Sequence, residues 1–434
     1  MTITRWRNSH KQPSALTYYI FCIIFSYAQS ASLTVKATSG SPSAPRVIVI
    51  GAGAAGLTAA SRLLSYGFDV TVLEASSRTG GRIHSVALNG SFVEVGTGTL
   101  STRSSSSVVL DPTNEVVDWA TTKKLLKTLP IGPVDPEEFF VAANYTFSQN
   151  ELDVMGATIL ATDWSNYAIS SENNLSRGAV LSRQFNKWRP RVSSAPYIAD
   201  AVYNYIIQKE RAEYGVDSLS NLSFAHSFAP FDSSEVSLNI SMMEFLRQIA
   251  PLADSAVKIN MKVDKIVLNG SNTGRPMLVY TSSNVTFSAD HVIVTVSLGH
   301  LKANIAALFD PPLSERKREA IRLAGFGTRE RIVLVYNTSW WRAVWPEMKN
   351  GVKVGILKNL QPEAELLLSA WTASIAEFSE DTHIPNALQF EFSLDAESSV
   401  ENVTDASVQD DLTVLLRTIT PNVTIMELPV AIYR

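Results

Sequence analysis

This sequence predicts an α/β fold, α+β overall: a Rossmann-like dinucleotide-binding domain joined to a second α+β domain. Three observations carry the prediction. Arg46-Val47-Ile48-Val49-Ile50 is a β-branched run of the kind that becomes a buried parallel strand. Gly51-Ala52-Gly53-Ala54-Ala55-Gly56 follows at once and passes into good helix formers through Tyr66. A second strand, Phe68 to Leu73, then ends on Glu74, 23 positions after Gly51.

Each part of this unit has a physical task. Gly51 permits the tight turn, Gly53 lets backbone approach a pyrophosphate, and Gly56 lets the helix pack closely on the strand. The helix start, with Ala52, Ala54 and Ala55 around it, offers unpaired N–H groups and a positive dipole end to phosphates. Glu74 can accept hydrogen bonds from ribose hydroxyls. Gly67 ends the helix as a C′ glycine. Beyond Glu74 come Ala75, Arg78, Gly80, Gly81 and Arg82. Two adjacent glycines let backbone pass close to a ligand, and the arginines bring fixed positive charge. The same stretch also reads as an ordinary surface turn with solvated arginines.

The 434 residues are enough for two domains with sizeable cores. A net charge of −4 argues against a nucleic-acid partner. The lone cysteine, Cys22, excludes an internal disulfide or thiol pair, and no two histidines stand at i, i+4, so no metal site is expected.

The N-terminus has a signal-peptide layout. Arg5, Arg7, His10 and Lys11 precede an apolar stretch from Ala15 to Ala28, and small residues follow. That stretch is shorter than the ~20 residues a spanning helix needs, so membrane attachment is expected only if it stays uncleaved. Residues 1–30 read as signal peptide and 31–45 as linker. Ten Asn-X-Ser/Thr sequons, at Asn89, Asn144, Asn174, Asn221, Asn239, Asn269, Asn284, Asn337, Asn402 and Asn422, agree with a secreted glycoprotein.

Further along, Phe92 to Leu100 reads as strand and turn, Ser101 to Ser107 as a loop, and Glu115 to Lys127 as helix. The stretch from Pro130 to Pro230 reads as mainly helical, and Glu235 to Leu252 as helix. Strands are expected over Lys258–Leu268, Pro276–Tyr280, Val285–Ser288, His291–Val296 and Arg331–Tyr336, with a helix over Pro311–Leu323.

Val47 to Leu57, Leu73-Glu74-Ala75 and Arg78-Thr79-Gly80-Gly81-Arg82 together resemble the FAD-containing amine oxidases. Further matches are Phe92-Val93-Glu94-Val95-Gly96, Thr295-Val296-Ser297-Leu298-Gly299-His300-Leu301-Lys302, Phe309-Asp310-Pro311-Pro312-Leu313, Gly325-Phe326-Gly327, Trp340-Trp341 and Trp345-Pro346. Polyamine oxidases look nearest within that family. The resemblance implies the glutathione-reductase-like FAD/NAD(P)-binding class, with FAD as cofactor, a small-molecule amine as substrate and dioxygen as acceptor. It adds Glu94, Val95, Gly96, Thr97 and Val263 to the cofactor-binding set. It implies an FAD-binding domain over 46–130 with 235–305, and a substrate-binding domain over 131–234 with 306–434.

The departures from the family pattern bear on function. Arg331 stands where many members have a lysine that hydrogen-bonds a water at flavin N5, and it is the candidate catalytic residue. Glu94 and Arg331 are each open to a structural role instead. Thr97, Gly98, Thr99 and Leu100 replace an aromatic and a glycine, and Asn239-Ile240-Ser241 replaces a Gly-Gly. The family's "G-S-Y-S" and "G-E-A/H-T" segments, which close over the flavin, do not occur in this sequence. The expectation is therefore a fragment, or a truncated product. Two alternatives to amine oxidation follow: a non-catalytic homologue, and an L-amino-acid oxidase-like flavoenzyme.

Overall fold

The computed structural model describes residues 23–25, 44–101, 115–127, 138–143, 145–162, 175–224, 235–268, 275–346, 348, 352–361, 368–394, 400–420 and 426–434. At its centre β2 (Arg46–Ile50) runs parallel to β3 (Asp69–Leu73) on one side and to β13 (His291–Val294) on the other. β9 (Val257–Lys258) extends the parallel order beyond β3, and β1 (Ile23–Phe25) adds antiparallel to β13. Ile48 and Ile50 pack into one apolar cluster while Val47 and Val49 pack into another, on opposite faces. Burial on both faces is why the strand is apolar throughout rather than alternating.

α1 (Ala54–Ser65) is the crossover from β2 to β3 and lays Leu57 and Ala60 against Val47 and Val49. On the opposite face sit β10 (Val263–Leu268), β11 (Met277–Thr281) and β12 (Thr286–Ala289) as an antiparallel meander, with β14 (Phe309–Asp310) parallel to β10. α7 (Leu298–Leu308) adds Leu301 and Leu308 to this core.

A second body is built on a six-stranded sheet. Its order is β19 (Ala431–Tyr433), β15 (Glu330–Val335), β18 (Ala387–Phe392), β17 (Glu377–Glu380), β16 (Lys353–Leu357) and β7 (Glu138–Ala142). One face carries Ile332, Leu334, Val354, Phe378, Phe390 and Phe392 into a core shared with α9 (Asp405–Ile419) and the paired Trp340 and Trp341. Period-two alternation puts Arg331, Lys353, Glu377, Ser379, Gln389 and Glu391 on the other face. α5 (Pro196–Tyr214) packs near that face, with α3 (Gln149–Thr162) and α4 (Arg177–Trp188) beside it. Arg177 and Glu210 tie α4 to α5 through a bidentate pair at 2.5 and 2.7 Å.

The remaining elements are small. β4 (Ser85–Leu88) and β5 (Ser91–Glu94) form a hairpin over Asn89-Gly90, whose φ angles of 46° and 82° suit a tight mirror-image turn. β6 (Thr99–Ser101) pairs with β8 (Glu235–Ser237). α2 (Glu115–Thr122), α6 (Met242–Ile249) and α8 (Glu315–Leu323) complete the set.

Several boundaries differ from the sequence reading, each for a local reason. The helix expected from Glu235 begins only at Met242, because Ser241 is its N-cap and accepts from the Glu244 amide at 3.1 Å. The helix expected to Lys127 stops at Thr122, and Lys124 then takes φ 57°. The strand expected over Lys258–Leu268 divides in two at Asn260, with φ 56°. The strand expected over His291–Val296 ends at Val294, and Ser297 caps α7 directly after it. The mainly helical span also hides β7, whose pairing partner β16 lies more than two hundred residues on. Of the expected signal peptide only Ile23–Phe25, and of the linker only Ala44 and Pro45, lie among the described residues. Thr102 to Ser107, most of the Ser-rich loop, also lies outside them.

Candidate dinucleotide site

The turn after β2 is held from all sides. The Gly51 amide donates to Leu73 O at 2.8 Å, and the residue takes φ 104°, a value that L side chains rarely adopt. Gly56 sits so close to this turn that a Cβ on it would lie 1.9 Å from Gly51 O. Gly53 differs: a Cβ there would meet nothing within 4 Å. Gly53 is also the N-cap of α1, so no side chain satisfies the first-turn amides. Ala54 and Ala55 bring no polar group of their own. Open space, orphan N–H groups and the positive end of a helix of 12 residues therefore coincide.

The Glu74–Arg82 stretch folds back onto this turn. The Gly80 amide donates to Ala52 O at 2.8 Å, and a Cβ on Gly81 would lie 3.3 Å from the Gly53 Cα. Both glycines have positive φ, 101° and 60°. The chain continues as a strip: Val95 and Gly96 donate to His84 O at 2.8 and 3.1 Å, and Thr97 to Arg82 O at 3.1 Å. The residues proposed from sequence at 51–56, 80–82 and 95–97 thus form one continuous backbone surface. Arg78 and Arg82 are exposed beside it, and Arg78 donates to Thr79 O and Ile83 O, each at 3.3 Å. Ala75 is exposed as well.

Glu74 receives the Ala52 amide on Oε2 at 2.7 Å, and on Oε1 both the Ser76 amide at 2.9 Å and the Ser76 hydroxyl at 2.8 Å. A carboxylate has about four acceptor positions, so with three taken Oε2 keeps room for a ribose hydroxyl. Met261 donates to Glu74 O at 2.7 Å, which brings the start of β10 to this corner. The Val263 side chain is committed to the core between the two sheets, so only its backbone is available to a ligand.

Glu94 is 1% exposed, and both its oxygens are used: Oε1 accepts the Met242 amide and Oε2 the Ser85 hydroxyl, each at 2.7 Å. Burial raises its pKa, with the Met242 and Ser85 hydrogen bonds and the Arg331 charge opposing. Its visible task is to anchor the start of α6. Arg331 bridges the two bodies. Nη1 donates to Gly96 O at 2.9 Å, Nη2 donates to Gln389 Oε1, and Nε lies 3.4 Å from Glu391 Oε1. A Cβ on Gly98 would come within 2.8 Å of Nη1. Burial would raise the pKa of Glu391, but the charges of Arg331 and Arg329 outweigh it and hold the carboxyl below its ordinary value.

Sequence reasoning leaves Ser85, Gln389 and Glu391 out of the site. They reach it by pairing across strands; the Asn89-Gly90 turn is a local signal for Ser85, while Gln389 and Glu391 have none in their own neighbourhood.

A glycine-rich strand–helix turn, a second glycine pair folded onto it and an acid at the end of the next strand define a dinucleotide-binding protein with a second, mixed-sheet body. The family model for flavin-containing amine oxidoreductases matches residues 54–116 and 181–425, and the chain belongs to that family. It is 28% identical over 333 residues to a probable polyamine oxidase 5 of Arabidopsis thaliana, covering 66% of this chain and 61% of that protein. It is 28% identical over 330 residues to the human peroxisomal N(1)-acetyl-spermine/spermidine oxidase, covering 69% and 63%. A solved structure of putrescine oxidase bound to putrescine superposes with a TM-score of 0.54 at 16% identity, covering 90% of this chain and 84% of that one, and shares the fold. The chain spans less than two thirds of the length of the first two relatives. The cofactor of the family is a flavin, and the open cradle at Gly53, the free capacity of Glu74 and the Arg78–Arg82 strip fit the ADP part of FAD.

Proposed function

We propose that the protein is an FAD-dependent amine oxidase of the polyamine type, converting amines to imines or aldehydes with dioxygen as acceptor and hydrogen peroxide as product. The observation that carries this is the continuous glycine-rich strip from Gly51 through Gly81 to Gly96, within a chain of the amine oxidoreductase family. When bound, FAD supplies the two-electron acceptor for oxidising a C–N bond. The protein's own groups bind and orient. The first turn of α1 takes the diphosphate, Glu74 a ribose, and Arg78 and Arg82 add positive charge outside it. Arg331 is the fixed cation of the flavin site and holds the Gly96 carbonyl in place. The polar sheet face meets the strip through Arg331, whose partners Gln389 and Glu391 hold the guanidinium in place. In this reading 46–130 with 235–305 bind FAD, and 131–234 with 306–434 bind substrate.

Purified protein should be yellow, release flavin on denaturation, and produce peroxide with spermine, spermidine or tyramine. A colourless protein that takes up no FAD overturns the reading, and peroxide with amino acids alone moves it to an amino-acid oxidase. The commitment of the Arg331 guanidinium to Gly96, Gln389 and Glu391 favours a second reading, a flavin-binding homologue without turnover. Yellow protein that gives no peroxide with any amine supports that one.

We also infer entry into the secretory pathway with glycosylation. Asn89, Asn221, Asn239, Asn284, Asn337 and Asn402 are all exposed. Among the described residues no helix is long and apolar enough to cross a membrane. Cleavage beyond Ala28 and the strand β1 exclude each other, so the N-terminal sequence of the purified protein decides between them. A mass unchanged by glycosidase treatment rejects glycosylation.

A further inference from the structure

We propose that Thr295 is a positioning residue for cofactor binding, whose hydroxyl sets the Gly51–Ala52 peptide at the head of the dinucleotide turn. Its ligand, though not its geometry, rests on the FAD reading above. Thr295 is the first residue past β13. Its amide donates to Ile50 O at 2.9 Å, carrying the ladder with β2 one step further. Its Oγ1 lies 2.9 Å from Ile50 O and 3.1 Å from Gly51 O. Both neighbours are carbonyls, so the hydroxyl is the donor to both. The same oxygen would lie 2.9 Å from a Cβ on Gly51 and 2.8 Å from one on Gly56, so it fills the hollow those two glycines leave.

The Gly51–Ala52 peptide is thereby gripped at both ends. Thr295 holds its carbonyl from the β13 side, and Glu74 holds its N–H at 2.7 Å from the β3 side. One side chain comes from each strand flanking β2. This peptide immediately precedes Gly53, where the open cradle and the helix start coincide. Turning it would move both the Ala52 amide and Gly53. The hydroxyl therefore acts on the cradle without touching a bound phosphate.

The test compares Thr295→Val, which keeps the shape and loses the donor, with Thr295→Ser, which keeps the donor. FAD and ADP affinities are measured by titration of the apoprotein, alongside its melting temperature. Thr295→Val should bind both ligands about three- to tenfold more weakly, the net size of one hydrogen bond. Thr295→Ser should bind and melt like the parent, Thr295→Val should melt slightly lower because it loses the same hydrogen bond in the apoprotein, and the bound flavin spectrum should not change. Equal affinity in parent and Thr295→Val overturns the proposal alone. So does equal loss of affinity in the two variants together with a lowered melting temperature, since that marks a purely structural role. A parent protein that binds neither FAD nor ADP overturns the functional reading together with it.

Discussion

A Gly53→Ala substitution adds one methyl group where nothing lies within 4 Å. The backbone there, φ −79° and ψ −178°, is extended and open to any L residue. Removing a glycine from the unfolded chain stabilises the fold by about 0.4–1 kcal/mol, and alanine's poorer capping costs about as much. Stability should therefore change by less than about 1 kcal/mol. Binding is another matter, because the methyl occupies the space a diphosphate would fill. Overpacking of that kind costs about 1–3 kcal/mol, which is a Kd for FAD about 5- to 150-fold weaker. Gly56→Ala is the contrast, since its Cβ would lie 1.9 Å from Gly51 O, against backbone that cannot yield. It should lose stability and binding together. The assay is fluorescence titration of each apoprotein with FAD beside its thermal melt. Parental FAD affinity in Gly53→Ala, or a melt as depressed as that of Gly56→Ala, refutes the reasoning.

Arg331→Met removes the donor to Gly96 O and the bond to Gln389, and should cost about 1–3 kcal/mol in melting experiments while weakening FAD binding. Glu94→Ala leaves the Met242 amide and Ser85 hydroxyl unpaired and should cost about 2–4 kcal/mol. Glu94→Gln keeps an acceptor, so denaturant titration should show a loss under about 1.5 kcal/mol. Glu151 is held down to a pKa of about 2 by hydrogen bonds from Tyr145, Tyr197 and Ser148. Its folded value lies below its ordinary 4.5, so its stabilisation is complete above that pH and is lost as pH falls toward about 2. Glu151→Gln should flatten the acid limb of the stability curve in that window, and an unchanged limb contradicts the assignment.

Local chemistry makes the opening unit legible in the residues themselves. The strand run, the glycine turn and Gly67 each act through neighbours a few residues away, and they stand in the fold where the sequence pattern puts them. Elements whose ends depend on one residue's conformation are less legible. Lys124 and Asn260, with positive φ, stop a helix and divide a strand that hydrophobic pattern alone would continue. β7 escapes the pattern because its apolar residues give no sign of a partner elsewhere in the chain.

The sequence by itself determined the class of the protein: a dinucleotide turn, the charge and glycines that follow it, and the family those residues resemble. Only the tertiary structure decided what the site residues do. Glu94 anchors α6 across 148 residues, Arg331 reaches Gly96 across 235, and Thr295 reaches the turn across 244 and 245. Separations of that length leave no mark on local composition, because a hydrogen bond across them exists only once the fold has brought the two distant segments together.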